Sequence, residues 1–301
     1  KEMLADVLAS EPPTFARIVA ECLNRTKTRE VGMQALQPVL DRYGLSANAV
    51  REWYEIGSGP LFAFQKNIEA LMEIGAANAE APRVLYEQFG IADFGRYPTD
   101  VLLRQYNERD DVDKPYGVIL FAYSDHNAAF NMSKEVIAKI SESMPGRALR
   151  ILEAGSKRDV ARRLLTLDKT YNNGGNGHRI SFAIIGGHGN KDSIEFGGYG
   201  PGQTLTTSDL AGKGAGRTSG FFDEHPTILL ASCSTGLEGG IAQELSRTLG
   251  AKVIAPDEPT AIHNLDVVTD GETGTDFTNV RYGSGVSMVY DKGELSARIQ
   301  T

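Results

Sequence analysis

Two short apolar runs, residues 180–185 (ISFAII) and 227–231 (TILLA), are each followed by small residues and a reactive side chain. The first run continues as Gly-Gly-His188-Gly189, and the second continues as Ser-Cys233-Ser. Apolar runs of this length, rich in Ile, Leu and Phe, are typical of fully buried β-strands. The sequence therefore predicts an imidazole just after one buried strand and a thiol just after another.

The surrounding residues, 113–301, alternate between short apolar runs and amphipathic segments. This alternation favours an α/β fold with a doubly wound, mostly parallel six-stranded sheet and helices on both faces. Functional side chains of such sheets gather beyond the carboxyl ends of the strands, so His188 and Cys233 are expected at one edge. The predicted strands are 116–123, 149–152, 180–185, 227–231, 252–255 and 285–290, and the predicted helices are 132–144, 158–167 and 237–249.

The chain before residue 113 has helical periodicity throughout. Its strongest amphipathic segments near the predicted boundary are 61–77, 83–89 and 99–106. We therefore expect two domains, an all-helical domain of residues 1–112 and an α/β domain of residues 113–301. The sequence does not define the role of the helical domain, and binding of a partner protein is one interpretation of it.

Composition narrows the classes of function. The net charge of −8 over 301 residues does not favour binding to nucleic acid or to an anionic membrane surface. No apolar run reaches the ~20 residues of a membrane-spanning helix. The two cysteines, Cys22 and Cys233, exclude a disulfide framework and favour a reducing, cytoplasmic location. Cys22 lies in an amphipathic segment and is expected in a core. We expect no metal and no other cofactor, because no cluster of ligands has zinc spacing. The acidic segments 108–113 and 266–276 leave a Ca²⁺ requirement open.

Cys233 and His188 have the chemistry of nucleophilic catalysis. A thiolate attacks a carbonyl carbon, and a neighbouring imidazole generates the thiolate and protonates the leaving amine. The predicted helix at 237–249 would point its positive end toward the sulfur and stabilise the thiolate. Because Gly189 has no side chain, its N–H can approach a ligand closely. The N–H groups of Gly189 and Cys233 are therefore the predicted oxyanion hole.

A buried strand ending in His-Gly, followed by a second ending in a small residue and Cys, resembles the caspase-like cysteine peptidases. These include caspases, metacaspases, legumain, clostripain, gingipains and separase. The separation here is 233 − 188 = 45 residues, close to the ~50 of caspases. The resemblance covers about residues 115–290 and implies a dyad of Cys233 and His188, with Gly189 in the oxyanion hole and a protein or peptide as substrate. The Gln-Ala-Cys-x-Gly signature of caspases is absent, so specificity for Asp is not implied.

Loops after the strands suggest which residue precedes the cleaved bond (P1). In this fold class the P1 pocket is built largely from the loop after the first strand and from segments near the last two. Asp125 follows the first predicted strand and Asp257 the fifth. Carboxylates at these positions would suit Arg or Lys at P1, although ordinary polar loop residues are an equally good interpretation. With that preference, Lys213 or Arg217 in the Gly-rich loop would be sites of self-cleavage.

Two other functions fit the same residues. Residues 232–236 (SCSTG) are similar to the G-x-S-x-G elbow of serine α/β-hydrolases, with Ser in place of the first Gly. Ser234 is then the alternative nucleophile, with Asp257 or Asp266 and His263 following in the chain order of that class. The other alternative is a non-enzymatic scaffold on a peptidase-like fold.

Overall fold

The computed structural model describes residues 70–123, 132–144, 146–172, 175, 177–197, 202–212, 215–260, 262–269 and 275–300. The chain divides into two compact units, one of residues 1–87 and 91–106 and the other of residues 88–90 and 107–301. This division falls a few residues before the predicted boundary at 112 and 113. The helices predicted before residue 70 lie outside the described residues.

The described part of the first unit is helical. Residues 70–77 are helical, and α1 (Ala81–Phe89) starts in this unit. A 3-10 turn (Phe94–Arg96) leads to α2 (Thr99–Asn107). The apolar positions of these segments are buried as their helical spacing predicts; Leu71, Ile74, Leu85, Phe94 and Leu102 are all inaccessible or nearly so.

The second unit alternates strands and helices in chain order. Its strands are β1 (Tyr116–Ala122), β2 (Ala148–Ala154), β3 (Ile180–Gly186), β4 (His188–Asn190), β5 (Ser193–Glu195), β6 (Thr204–Thr206), β7 (Phe222–Ala231), β8 (Lys252–Pro256), β9 (Ile262–Thr269), β10 (Thr275–Tyr282), β11 (Val286–Asp291) and β12 (Glu294–Gln300). Its helices are α3 (Lys134–Glu142), α4 (Lys157–Leu167), α5 (Thr207–Leu210) and α6 (Ile241–Leu249).

One seven-stranded sheet organises this unit, in the order β12-β11-β8-β7-β3-β1-β2. The five strands from β8 to β2 are mutually parallel, whereas β11 and β12 add an antiparallel edge. The prediction of a mostly parallel α/β sheet is confirmed, and the predicted count of six strands was wrong. The additional strand, β12, is exposed along its whole length, so its sequence contains no apolar run that would reveal it.

Helix ends follow the local sequence. The Ser133 and Ser156 hydroxyls cap α3 and α4 by accepting the N–H groups of Val136 and Asp159. α6 ends at Gly250, whose φ of 64° is the left-handed conformation that terminates helices. Among the described residues, no helix is both long enough and apolar enough to cross a bilayer.

The two faces of the sheet carry different elements. Leu164 of α4 and Leu245 of α6 line a cavity together with Ala183 and other residues of β1 and β3, so these helices cover one face. Phe182 points to the opposite face because neighbouring residues of a strand alternate. There it packs edge-to-face on Phe277 of β10, with ring centroids 5.4 Å apart. The β9-β10 hairpin thus covers part of a face for which the sequence predicted helices.

Gly117 of β1 tests this packing. A Cβ atom at this position would lie 1.8 Å from Cε1 of Phe182. We expect Gly117→Ala to lower the free energy of unfolding by about 1–3 kcal/mol, because the buried ring must move. Gly220→Ala is the matched control, since a Cβ there meets nothing within 4 Å. Urea denaturation of both variants measures the difference, and equal stabilities would contradict this account of the core.

Candidate active site at the ends of three parallel strands

Strand register aligns the two segments that carry His188 and Cys233. β3 and β7 are parallel neighbours, and their last paired residues are Gly186 and Ala231. His188 lies two residues after Gly186, and Cys233 lies two residues after Ala231. The sheet therefore delivers both segments to the same edge and the same level, as the strand-end rule predicts.

Contacts between the two segments are direct. A Cβ on Gly189 would lie 2.9 Å from Cγ2 of Thr235 and 3.0 Å from both the Cys233 carbonyl oxygen and Oγ of Ser232. Gly189 therefore packs against the turn that contains Cys233, and no larger residue fits without a shift. On the same side, the buried Ser232 hydroxyl donates a hydrogen bond to the Gly187 carbonyl oxygen.

On its other side the Cys233 turn is held by the segment that follows β8. The N–H of Ser234 donates to the Glu258 carbonyl oxygen at 3.1 Å, and the N–H of Gly236 donates to the Pro256 carbonyl oxygen at 2.7 Å. Within the turn, the Thr235 hydroxyl donates to the Ser232 carbonyl oxygen at 2.7 Å. The turn is thus fixed by the ends of both neighbouring strands.

The described ladder between β7 and β8 ends at the pair Leu229 and Ile254, just before the turn. The Tyr282 hydroxyl of β10 donates to the carbonyl oxygens of Leu230 at 2.9 Å and Ile254 at 3.3 Å. Burial raises the pKa of Tyr282 well above its usual value, so the phenol keeps its proton and remains a donor. Tyr282 therefore satisfies backbone oxygens where the two strands separate.

The Cys233 side chain is half-buried and faces the loop after β8. Its Sγ lies 3.4 Å from the Thr260 amide nitrogen, which donates to it, and 3.5 Å from the Thr260 carbonyl oxygen, to which the thiol donates. Cys233 is a free thiol. The loop after β8 therefore surrounds the sulfur with one backbone donor and one backbone acceptor, a polar environment that the sequence did not reveal.

His188 begins a small antiparallel sheet of β4, β5 and β6, in which it pairs with Glu195. The residue is half-buried and its Nε2 atom is shielded from solvent. The turn after β4 is anchored, because the Lys191 carbonyl oxygen accepts the N–H of Ile241 at the start of α6 at 2.8 Å. The hairpin that carries His188 is thus tied to the helix that follows Cys233.

The helix predicted at 237–249 was wrong at its start. α6 begins at Ile241, after turns and bends that include Gly239 at φ 74°. Its first N–H groups donate to carbonyl oxygens, Ile241 to Lys191 and Ala242 to Thr235. These two donors are therefore occupied by backbone carbonyl oxygens and are not directed at the Cys233 sulfur.

Ser234 has an unusual backbone, with φ 55° in the left-handed region. For a residue with a Cβ this conformation costs about 1–2 kcal/mol. Strain of this kind concentrates at functional turns, and a strained turn also carries the nucleophile of serine α/β-hydrolases. The observation marks the turn as specialised and is compatible with either nucleophile.

The carboxylates predicted to serve the site have other partners. Oδ1 of Asp257 accepts the N–H of Val286 at 2.7 Å and so braces the start of β11. Asp266 pairs with Lys139 of α3. Asp125, Lys213 and the side chains of His263 and Arg217 lie outside the described residues. Across the described residues, no group of three or more His, Cys, Asp or Glu side chains could hold a metal ion.

One of three comparisons with known proteins finds a match, and it covers one segment of the chain. A family model described as a domain of unknown function (DUF8616) matches residues 166–273, a little over a third of the chain. The matched segment includes both His188 and Cys233. No curated protein and no solved structure matches the chain.

Ser232 tests the connection between the two segments. We expect Ser232→Ala to lower the free energy of unfolding by about 1–3 kcal/mol, because the buried Gly187 carbonyl loses its donor. Ser234→Ala, a change in the half-buried neighbouring residue, should alter it by less than about 0.5 kcal/mol. Urea unfolding of the two variants gives the comparison. A Ser232→Ala protein as stable as Ser234→Ala would show that this hydrogen bond does not hold the segments together.

Proposed function

We propose that this protein is a cysteine endopeptidase of the caspase-like class, with Cys233 as nucleophile and His188 as general base and acid. The observation that carries the proposal is the β3-β7 register, which brings the residues after Gly186 and Ala231 to one level. Gly189 packed against the Cys233 turn supports it further. The substrate is a protein or peptide, and the proposed location is the reducing cytoplasm, where an accessible thiol stays reduced.

The reaction has two halves. The Cys233 thiol gives its proton to His188, and the thiolate attacks the carbonyl carbon, forming a C–S bond and a tetrahedral oxyanion that the N–H groups of Gly189 and Cys233 stabilise. The C–N bond then breaks, and the amine leaves with a proton from His188. His188 next takes a proton from water, whose oxygen attacks the thioester. The C–S bond breaks, the carboxylic acid leaves, and His188 returns its proton to the Cys233 sulfur.

In this proposal Thr260 positions the resting sulfur through one backbone donor and one backbone acceptor. Its backbone N–H lies 3.4 Å from Sγ, on the side opposite the neighbouring strand β3, since it comes from the loop after β8. Once the thiol proton has moved to the imidazole, the Thr260 N–H still donates to the sulfur, whereas the Thr260 carbonyl oxygen no longer accepts from it. Fixed dipoles need no reorganisation during the reaction, which suits them to stabilise developing charge.

A serine hydrolase using Ser234 is the second candidate, and the φ of 55° at Ser234 is the observation in its favour. Its acid would have to come from Asp257 or Asp266. Asp257 braces Val286, and Asp266 is paired with Lys139. The side chain of His263 lies outside the described residues, so no described contact supports a pair between it and either carboxylate. The thiol route is preferred because the β3-β7 register supports it. The intact His188-Gly189 and Cys233 argue against an inactive scaffold.

Preference for Arg or Lys at P1 rests on Asp125 and Asp257. One oxygen of the half-buried Asp257 carboxylate accepts the Val286 N–H, which leaves the other to a substrate cation. Self-processing within the loop that contains Lys213 and Arg217 follows from the same preference. This part of the proposal is separable from the identity of the nucleophile.

Active-site labelling tests both parts together. The full chain is incubated with peptidyl acyloxymethyl ketones that carry Arg, Asp, Asn or Leu at P1, and the modified residue is found by mass spectrometry. We expect one label on Cys233, fastest with Arg. Cys233→Ala should abolish labelling, and His188→Ala should slow it by about 10²–10⁴-fold through loss of the general base.

Ser234→Ala is the matched control and should label at the wild-type rate. The peptidase proposal would be overturned if no reagent labelled the wild-type protein, or if His188→Ala were labelled at the wild-type rate. Peptide-ester hydrolysis that survives Cys233→Ala and is lost in Ser234→Ala would establish the serine hydrolase instead. Faster labelling by the Asp, Asn or Leu reagent would refute only the basic P1 preference.

A further inference from the structure

A cavity of about 200 Å³ lies between the sheet and the two helices α4 and α6. Its inner wall includes Ala183 of β3 and Leu245 of α6, which are 2 % and 4 % exposed. A dry apolar cavity of about 150 Å³ is large enough to bind benzene. If the number of carbons that fit is proportional to the volume, a cavity of this size accepts an apolar group of about eight carbons, compared with the six of benzene.

The lining is apolar except for Thr218 and the charged residues Lys157 and Asp209. Apolar side chains from β1, β3, α4, α6 and the segments around β6 form the walls. The mouth includes Val160 of α4, which is half-buried, and Ala161 of α4, which is exposed. The charged residues Lys157 and Asp209 lie there too. A molecule that fills the cavity would therefore have an apolar body and a polar end.

Lys157 and Asp209 form an ion pair across the mouth. Nζ of Lys157 lies 2.9 Å from each carboxylate oxygen of Asp209. Asp209 also accepts from the N–H and hydroxyl of Thr206, at 2.9 and 2.8 Å, in the capping box of α5. Burial opposes its ionisation, but the bonds from Lys157 and Thr206 outweigh burial and lower the pKa of Asp209.

These contacts leave the Lys157 ammonium more available to a ligand than the Asp209 carboxylate. The Asp209 carboxylate is committed to holding α5, and its charge is already compensated by Lys157. An ammonium group has three donors, of which two account for the bonds to the Asp209 oxygens. The third can be donated outward to a ligand. An incoming anion would gain a charge-assisted hydrogen bond, whereas an incoming amine would have to compete with Lys157 for Asp209.

We propose that this cavity binds an anionic amphiphile, a carboxylate with an apolar chain of about eight carbons, whose chain fills the cavity and whose head group binds Lys157. Phe196, just after β5, and Leu205 of β6 also line the cavity. The bound chain would therefore contact the small sheet that begins at His188. Binding does not require Cys233 to be a nucleophile, so the proposal stands apart from the peptidase proposal.

Calorimetric titration of the full chain with octanoate tests the site, with 1-octanol and octylamine as neutral and cationic probes. We expect saturable 1:1 binding of octanoate, tighter than that of octanol and of octylamine. Lys157→Gln should weaken octanoate binding about tenfold, the loss of one charge-assisted hydrogen bond, and leave octanol binding nearly unchanged. Arg158→Gln is the matched control, because Arg158 is exposed on the same helix and does not line the cavity.

Ala161→Phe is the second variant. It should weaken the binding of both octanoate and octanol, because the larger side chain narrows the mouth of the cavity. Its exposed position on α4 leaves the fold intact, which a thermal melt without ligand verifies. The proposal is overturned if wild-type protein shows no saturable binding of octanoate, or if octylamine binds more tightly. It is also overturned if Lys157→Gln and Arg158→Gln bind octanoate equally, or if Ala161→Phe binds it as well as wild type.

Discussion

Parallel pairing of β3 with β7 is the constraint on which the rest of the candidate site depends. Backbone hydrogen bonds fix Gly186 beside Ala231, and the residues after them inherit that alignment. A slip of one residue would displace the His188 segment by about 3.3 Å and turn its side chains to the opposite face. The register is protected because both faces of β3 are buried, with Phe182 against Phe277 on one side and Ala183 beneath the helices on the other.

Small residues let the aligned segments approach one another. Gly187 lies against the Glu195 carbonyl oxygen, Gly189 against the Cys233 turn, and a Cβ on either would come within 3.0 Å of a backbone oxygen. Ser232 then supplies a hydroxyl that joins the segments. The same close packing explains why the strain at Ser234 persists, since its N–H is held by Glu258.

The sequence was most informative where one strand carries its own signal. The continuous apolar runs of β1, β3 and β7 predicted buried parallel strands, and the rule on strand ends then predicted that His188 and Cys233 share an edge. The start of α6 was misplaced because Leu237 lies at helical spacing from Ile241, whereas Gly239 at φ 74° cannot continue a helix. β12 escaped prediction because it buries no side chain. The contact of Thr260 with Sγ joins residues 27 apart in the chain, and no local pattern encodes it.

A double-mutant cycle tests most directly whether His188 and Cys233 act as one unit. The quantity is kcat/KM of wild type, His188→Ala, Cys233→Ala and the double variant, on a fluorogenic peptide that carries the P1 residue of the fastest-labelling reagent. When two groups act together in one step, the effects of removing them on kcat/KM are strongly non-additive. We expect the double variant to be no slower than Cys233→Ala alone. Losses that multiply across the two substitutions would contradict a shared catalytic step.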